Sequence, residues 1–228
     1  MNTDNQITVL LAEDHMVVRE GLGSLLNVDG HFRILGEART GRQAVEMAEM
    51  LRPQIVLMDI AMPLLNGLEA TKQILAADPA AKVLMLSAYS DDEYVARAAA
   101  AGAVGFLEKQ TSAEILIRAI HEVAQGKTFY SPTIAKRKHL SRNKVRDRNG
   151  IAKIKGTVMT AREVEVLQLV AEGMSNRQIG GELGISVKTV EKHRQSLMDK
   201  LGIHDTAGLT RYAISTGVIE NKVQLTII

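Results

Sequence analysis

Five short apolar runs, each followed by a longer stretch of helical periodicity, constrain the fold of this chain more than any other feature. "ITVLLAE", "FRILGEA", "QIVLMDI", "KVLMLSA" and "AVGFLEK" read as strands. Between them lie "MVVREGLGSLLN", "GRQAVEMAEMLR", "NGLEATKQILAA" and "DDEYVARAAAAG", and "SAEILIRAIHEVAQ" follows the last. Runs without a polar alternation belong to strands buried on both faces, so the pattern predicts a five-stranded parallel sheet covered by helices. Thr111 with Glu114 reads as a capping box for the fifth helix.

The alternation stops after "GKTFYSP". The next stretch, "TIAKRKHLSRNKVRDRNGIAKIKG", is basic, poor in large apolar residues and without clean periodicity, which reads as a linker. Order resumes at "TVMTAREVEVLQLVAEG" and runs through three more helices to about Gly217 with no further strand signal. The expected organisation is an α/β domain over 1–128, a basic linker over 129–155 and a small all-α domain over 156–228. At 228 residues and 46% hydrophobic, the chain can supply both cores. The net charge of +2 conceals a segregation: the first segment is net −6, the linker net +8 and the last neutral. With no cysteine, disulfides, zinc–thiolate centres and thiol catalysis are excluded, which fits a reducing cytosol. The apolar run after the polar "MNTDNQ" is far too short for a signal peptide or membrane span, so a cytoplasmic protein with no membrane partner is expected.

In an open parallel α/β sheet, reactive groups collect at the C-terminal ends of the strands. Glu13 and Asp14 follow the first predicted strand, Asp59 ends the third, Ser87 the fourth and Lys109 the fifth. Any one such residue is commonplace in a loop, but their joint occurrence on four strands is not easily coincidental. Three carboxylates crowd together at neutral pH only around a cation, and an all-oxygen set suits a hard ion such as Mg²⁺. That ion bridges carboxylate to phosphoryl oxygen, while an ammonium and a hydroxyl hold the remaining oxygens. Asp59 is therefore expected to accept a phosphoryl group. A phosphatase of the haloacid dehalogenase type also forms an aspartyl phosphate, but its chemistry wants a second acid two residues on, where Ala61 stands.

With these residues in place, positions 7 to about 126 resemble a response-regulator receiver domain, a flavodoxin-like fold. The matching positions are Glu13, Asp14, Asp59, Ser87 and Lys109, with Phe106 at the family's switch-aromatic position and "MP" followed by Gly67 after the phosphoacceptor. Gln110 stands where many receivers have proline. The resemblance implies Mg²⁺ held by Glu13, Asp14, Asp59 and the backbone carbonyl of Ala61, a switch built on Ser87, Phe106 and Lys109, and a sensor histidine kinase as phosphoryl donor.

The helical domain carries its own punctuation. Thr160 with Glu163 and Ser175 with Gln178 read as capping boxes, and Gly184-Ile185-Ser186 as a turn whose serine caps the next helix. Two short helices joined by a tight glycine turn suggest helix-turn-helix. On the last of these, Val187, Val190, Leu197 and Leu201 are expected inward, leaving Lys188, Glu191, Lys192, Gln195 and Asp199 outward. Most such polar faces are simply solvated, and the neutral charge of the domain does not decide otherwise. Residues 157 to about 219 nevertheless resemble the LuxR-type helix-turn-helix, through "TAREVEVLQLVAEGMSNRQI" and "ISVKTVEKH", and the pairing with a receiver characterises NarL/FixJ-type regulators. The resemblance implies Glu191, Lys192 and Gln195 as base-reading residues and Lys188, Thr189 and His193 as backbone-contacting ones. Gly180-Gly181 departs from the consensus inside a helix, where a glycine costs about 1 kcal/mol relative to alanine; Gly180 is expected to allow close approach of the recognition helix.

The expected function is thus a transcriptional regulator switched by aspartyl phosphorylation, binding double-stranded promoter DNA as a homodimer, and not an enzyme beyond a weak autophosphatase. An interaction protein that works without phosphorylation leaves the acidic pocket unexplained. The linker cations Lys136, Arg137, Lys138, Arg142, Lys144, Arg146, Arg148, Lys153 and Lys155 are expected either to touch DNA phosphates, to rest on the acidic receiver or to act as a solvated tether.

Overall fold

A computed structural model describes residues 6–88, 91–134 and 159–219, which fall in two compact units. The expected linker cations all lie outside the described residues. In the first unit, elements alternate as the sequence predicts: β1 (Ile7–Ala12), α1 (Met16–Asp29), β2 (Phe32–Ala38), α2 (Gly41–Leu51), β3 (Ile55–Asp59), α3 (Gly67–Ala77), β4 (Val83–Ser87), α4 (Asp92–Ala100), β5 (Gly105–Glu108) and α5 (Ala113–Ala124).

The sheet is parallel throughout, in the order β2-β1-β3-β4-β5-β6, so it has six strands among the described residues where five were expected. The sixth, β6 (Phe129–Tyr130), pairs Gly105 with Phe129 and Phe106 with Tyr130. Two residues are too few for any strand periodicity, and β5 alone supplies the template. The stretch expected to be linker therefore begins as sheet, and Ile134, fully buried, still belongs to this core.

Strand neighbours point in opposite directions, and the central strands β3 and β4 are buried on both faces. Val9, Leu11, Ile55, Leu57, Leu84, Leu86 and Leu107 pack with Leu26 of α1 and with Leu116, Ile120 and Val123 of α5. Leu10, Ala12, Val56, Met58, Val83, Met85 and Phe106 pack with Ala44 and Ala48 of α2, Ile74 of α3 and Val95 and Ala98 of α4. Each large side chain so buried contributes about 1.5–3 kcal/mol. The α5 cap differs from expectation: Ser112, not Thr111, is the N-cap, and it makes no side-chain cap bond. Thr111 N–H instead donates to the Glu108 carbonyl at 3.0 Å, extending the turn out of β5 by one residue.

The second unit comprises α6 (Ala161–Ala171), α7 (Asn176–Leu183), α8 (Val187–Leu201) and α9 (Thr206–Ser215). Both capping boxes form as read, and Ser186 caps α8 by accepting from Thr189 N–H. Val166, Leu169, Val170, Ile179, Val190, Leu197, Leu209 and Ala213 make the core. Val187, expected inward, is 42% exposed: as the first residue of α8 it has no preceding turn to cover it. A Cβ on Gly180 would come within 2.8 Å of the Ile185 carbonyl oxygen, so this glycine lets α7 sit against the turn that leads into α8. At Gly181 a Cβ meets nothing within 4 Å.

Candidate functional site

The strand order reverses direction at β1 and β3, and a crevice opens there beyond their C-terminal ends. Asp59, the last residue of β3, is brought beside Glu13 and Asp14, which follow β1. Two glycines make the loops around it fit: a Cβ on Gly67 would lie 2.0 Å from the Asp59 carbonyl oxygen, and one on Gly41 2.0 Å from that of Leu65. The Gly67 N–H donates to the Ile60 carbonyl at 2.9 Å, holding the N-terminus of α3 against the loop that contains Ala61.

Lys109, one residue past β5, reaches back so that its Nζ lies 2.9 Å from Asp59 Oδ2 and 2.9 Å from Glu13 Oε2. It donates a hydrogen bond to Glu13 Oε1 at 3.0 Å. Its own backbone N–H donates to the Ser87 carbonyl at 2.7 Å, which fixes the end of β5 against the end of β4. Ser87 is 1% exposed at the same edge, and Phe106 is fully buried on the α2–α4 side of the sheet. All peptides of the described residues are trans, that between Lys109 and Gln110 included.

The pocket is unbalanced in charge. Glu13 and Asp59 are each 1% exposed, and one ammonium faces three carboxylates. Glu13 Oε2 and Asp59 Oδ2 are buried, and both depend on the same Lys109 ammonium. Burial raises Asp59, repulsion from Glu13 adds to it, and the Lys109 charge only partly offsets them, leaving its carboxyl at about 6. Burial depresses Lys109, but Asp59 and Glu13 outweigh it and hold the amine above its usual value. Ligand atoms of Glu13, Asp14, His15 and Asp59 lie within 4.8 Å of one another, and the three carboxylates among them suit a hard divalent cation.

Two residues at this site went unread in the sequence. Arg19, 4% exposed on α1, donates from one guanidinium nitrogen to the Glu13 carbonyl at 2.8 Å and through Nε to Glu37 Oε2 at 3.0 Å. It clamps the backbone of the acidic pair while their carboxylates face the pocket. His15 sets its Nδ1 2.9 Å from Asp14 Oδ1 and 3.1 Å from Glu13 Oε1. The signal for both was the "EDHMVVRE" stretch, where position 19 falls one helical turn after position 15.

On the second unit, Ser186, Lys188, Thr189, Glu191, Lys192 and Gln195 line one open groove along α8. Lys188, Glu191, Lys192 and Gln195 are exposed, while Thr189 and His193 are half-buried. Gln195 Nε2 donates to Asp199 Oδ1 at 2.8 Å, which holds its amide on the outer face. Behind the groove, Arg194 donates to Asn176 Oδ1 at 2.7 Å and to Thr206 Oγ1 at 3.0 Å, tying α8 to α7 and α9. Glu163, the N3 residue of α6, accepts from Ser196 Oγ at 2.8 Å and from Lys200 Nζ at 2.7 Å. Burial would raise this carboxyl, but those bonds and the Thr160 N–H outweigh it and lower it to about 2.

Comparison with known proteins agrees with both halves. Residues 9–121 match the response regulator receiver domain family, and residues 157–213 match the luxR family of bacterial regulatory proteins. The chain is 34% identical to the transcriptional regulatory protein DegU of Brevibacillus brevis, over 95% of this chain and 97% of that one. It is 33% identical to the response regulator protein VraR of Staphylococcus aureus, over 94% and 99% respectively. A crystal structure of a LuxR-family two-component response regulator from an Aurantimonas species superposes with a TM-score of 0.59 at 30% identity, over 60% of this chain and 99% of that one. An acidic pocket at the β1–β3 crevice, a helix-turn-helix with an open polar groove, and relatives matched over nearly their full length make this chain a response regulator of the NarL/FixJ type, a receiver domain joined to a LuxR-type DNA-binding domain.

Proposed function

We propose that Asp59 accepts a phosphoryl group from a sensor histidine kinase and that this modification controls binding of a homodimer to double-stranded promoter DNA through α8. The observation that carries the reading is the convergence of Lys109 on Asp59 and Glu13, 2.9 Å from each, at a buried strand edge with more carboxylate than cation. Glu13, Asp14, Asp59 and the Ala61 carbonyl would hold Mg²⁺, which supplies the charge needed for a phosphoryl oxygen to approach a carboxylate. Lys109 pairs with the incoming oxygens, and Ser87 donates a hydrogen bond to one of them. The Ser87 displacement, with Phe106 behind it, biases a two-state element on the face of α4, β5 and α5.

The match to a family of transcription regulators supports a regulator with at most weak hydrolysis of its own aspartyl phosphate. The match to a DNA-binding regulator family supports a cytoplasmic setting; among the described residues no helix is long and apolar enough to cross a membrane. In α8, Glu191, Lys192 and Gln195 read base edges in the major groove, and Lys188, Thr189 and His193 set register on phosphates. The test is incubation with Mg²⁺ and a small phosphodonor, followed by gel shift on candidate promoter fragments. Ser87→Ala is expected to retain labelling and lose the phosphorylation-dependent gain in DNA affinity; an unchanged gain removes Ser87 from the switch.

A further inference from the structure

The receiver sheet has a second cluster of ligating side chains, at the edge opposite the acidic pocket. Asp29 is the last residue of α1, Gly30 turns the chain in the left-handed conformation at φ 75°, and His31 stands just before β2. His121 comes from the last turn of α5. One ligand atom from each of Asp29, His31 and His121 lies within 4.8 Å of the others. His31 Nδ1 is 2.9 Å from Asp29 Oδ1, and the two imidazole rings meet edge to face with centroids 5.8 Å apart.

The scaffold beneath these groups is fixed. The His31 carbonyl accepts the Ile7 N–H at 2.9 Å, and the Gly30 carbonyl accepts from Gln6 Nε2 at 2.9 Å. The Phe32 ring, 5.0 Å from that of His121, backs the second imidazole. By contrast, the His31 side chain is 72% exposed, with its Nδ1 on Asp29 Oδ1. An open cavity of about 590 Å³ lies against both histidines; Arg52 and Lys82 also line it, the first paired with Asp78 at 3.3 Å and the second donating to the Ala124 carbonyl at 2.6 Å. Both α1 and α5 end at this edge: the last turn of α1 carries no basic residue, whereas at the end of α5 the Ala124 carbonyl accepts from Lys82 Nζ at 2.6 Å.

We propose that Asp29, His31 and His121 form a binding site for a borderline divalent ion of the Zn²⁺, Co²⁺ or Ni²⁺ class, separate from the Mg²⁺ chemistry of the acidic pocket. Two imidazoles and a carboxylate select such ions over Mg²⁺, which prefers oxygen and octahedral water. Neighbouring ligands of a bound ion stand about 3–3.5 Å apart, so the cluster must contract slightly, which rotation of exposed His31 allows. The cavity leaves room for water at the remaining positions. The ion staples the end of α1, the start of β2 and the end of α5, and so stabilises the receiver by mass action.

The experiment uses the full-length, tag-free chain in excess Mg²⁺. Co²⁺ titration followed by visible absorption is expected to show a single saturable equivalent, displaced by Zn²⁺, with a matching Zn²⁺-dependent rise in the receiver melting temperature. His121→Gln is expected to abolish the signal and His31→Gln to weaken it by at least roughly tenfold, while Asp59→Asn keeps it intact. Circular dichroism of the two histidine variants separates loss of a ligand from loss of fold. Binding that survives both histidine substitutions belongs to other histidines and overturns the assignment. Loss in Asp59→Asn moves the ion to the acidic pocket, and absence of any Co²⁺ signal in the parent removes the site.

Discussion

Two buried carboxylates in this protein have opposite fates. Asp59 and Glu163 are 1% and 4% exposed, yet burial wins at Asp59, raised to about 6, and loses at Glu163, lowered to about 2. The difference lies in what surrounds each. Glu163 is enclosed by donors, Ser196, Lys200 and the Thr160 N–H, so its charge is fully used inside the fold. Asp59 is enclosed by further acids, and its Oδ2 has only an ammonium that it shares with Glu13. A saturated buried carboxylate is structural, fastening α6 to α8; an unsaturated one is held ready for a cation and a phosphoryl group.

The largest expected effect tests the reactive member of the pair. Asp59→Asn should abolish labelling by a small phosphodonor in Mg²⁺, measured by mass or radiolabel; phosphate uptake by that variant places the acceptor elsewhere. The structural member is next. Glu163→Ala leaves Lys200 without its partner and opens the cap, and should destabilise the helical domain by about 3 kcal/mol in denaturant unfolding. Preserved stability would mean that the network fastens nothing.

The pH dependence separates the two carboxylates by sign. A folded-state value below the unfolded one gives stability that is present at neutral pH and lost as pH falls from about 4.5 toward 2, so Glu163 should contribute about 2–3 kcal/mol that fades over that window. A folded-state value above the unfolded one does the reverse: ionised Asp59 costs stability that sets in as pH rises from about 3.8 to 6. In metal-free buffer at neutral pH, Asp59→Asn should therefore stabilise the receiver, on the order of 1–3 kcal/mol, with the gain vanishing in acid. A gain that persists at low pH would assign it to packing instead.

Lys192→Ala should weaken binding on the preferred DNA sequence by about 1–3 kcal/mol and relax discrimination there, read by competition gel shift. Equal weakening on all sequences would move Lys192 to the phosphates. The smallest effects come from adjacent glycines in α7. Gly181→Ala, in open space, should stabilise the helical domain by about 0.5–1 kcal/mol. Gly180→Ala should destabilise it, since the new methyl meets the Ile185 carbonyl oxygen at 2.8 Å. Equal effects at both positions would show that the turn before α8 yields freely.

Much of this protein was determined by local sequence alone. The five long strands, the four helices of the second unit and three of its caps rest on periodicity and on Ser or Thr side chains acting within one turn. The acidic pocket was legible because a parallel sheet delivers every strand end to one edge, so Glu13, Asp14, Asp59, Ser87 and Lys109 needed no knowledge of distance to be grouped. Only the tertiary structure decided the rest. Strand β6 is two residues that become sheet because β5 lies beside them, and Val187 is exposed because the helix begins there. Arg19 turns its guanidinium onto the Glu13 carbonyl, Ser196 and Lys200 converge on Glu163 from more than thirty positions away, and His121 comes to rest near Asp29 and His31. Periodicity reports which face of an element is buried, but which side chain meets which across two elements depends on how those elements pack, and that information is spread over the whole chain.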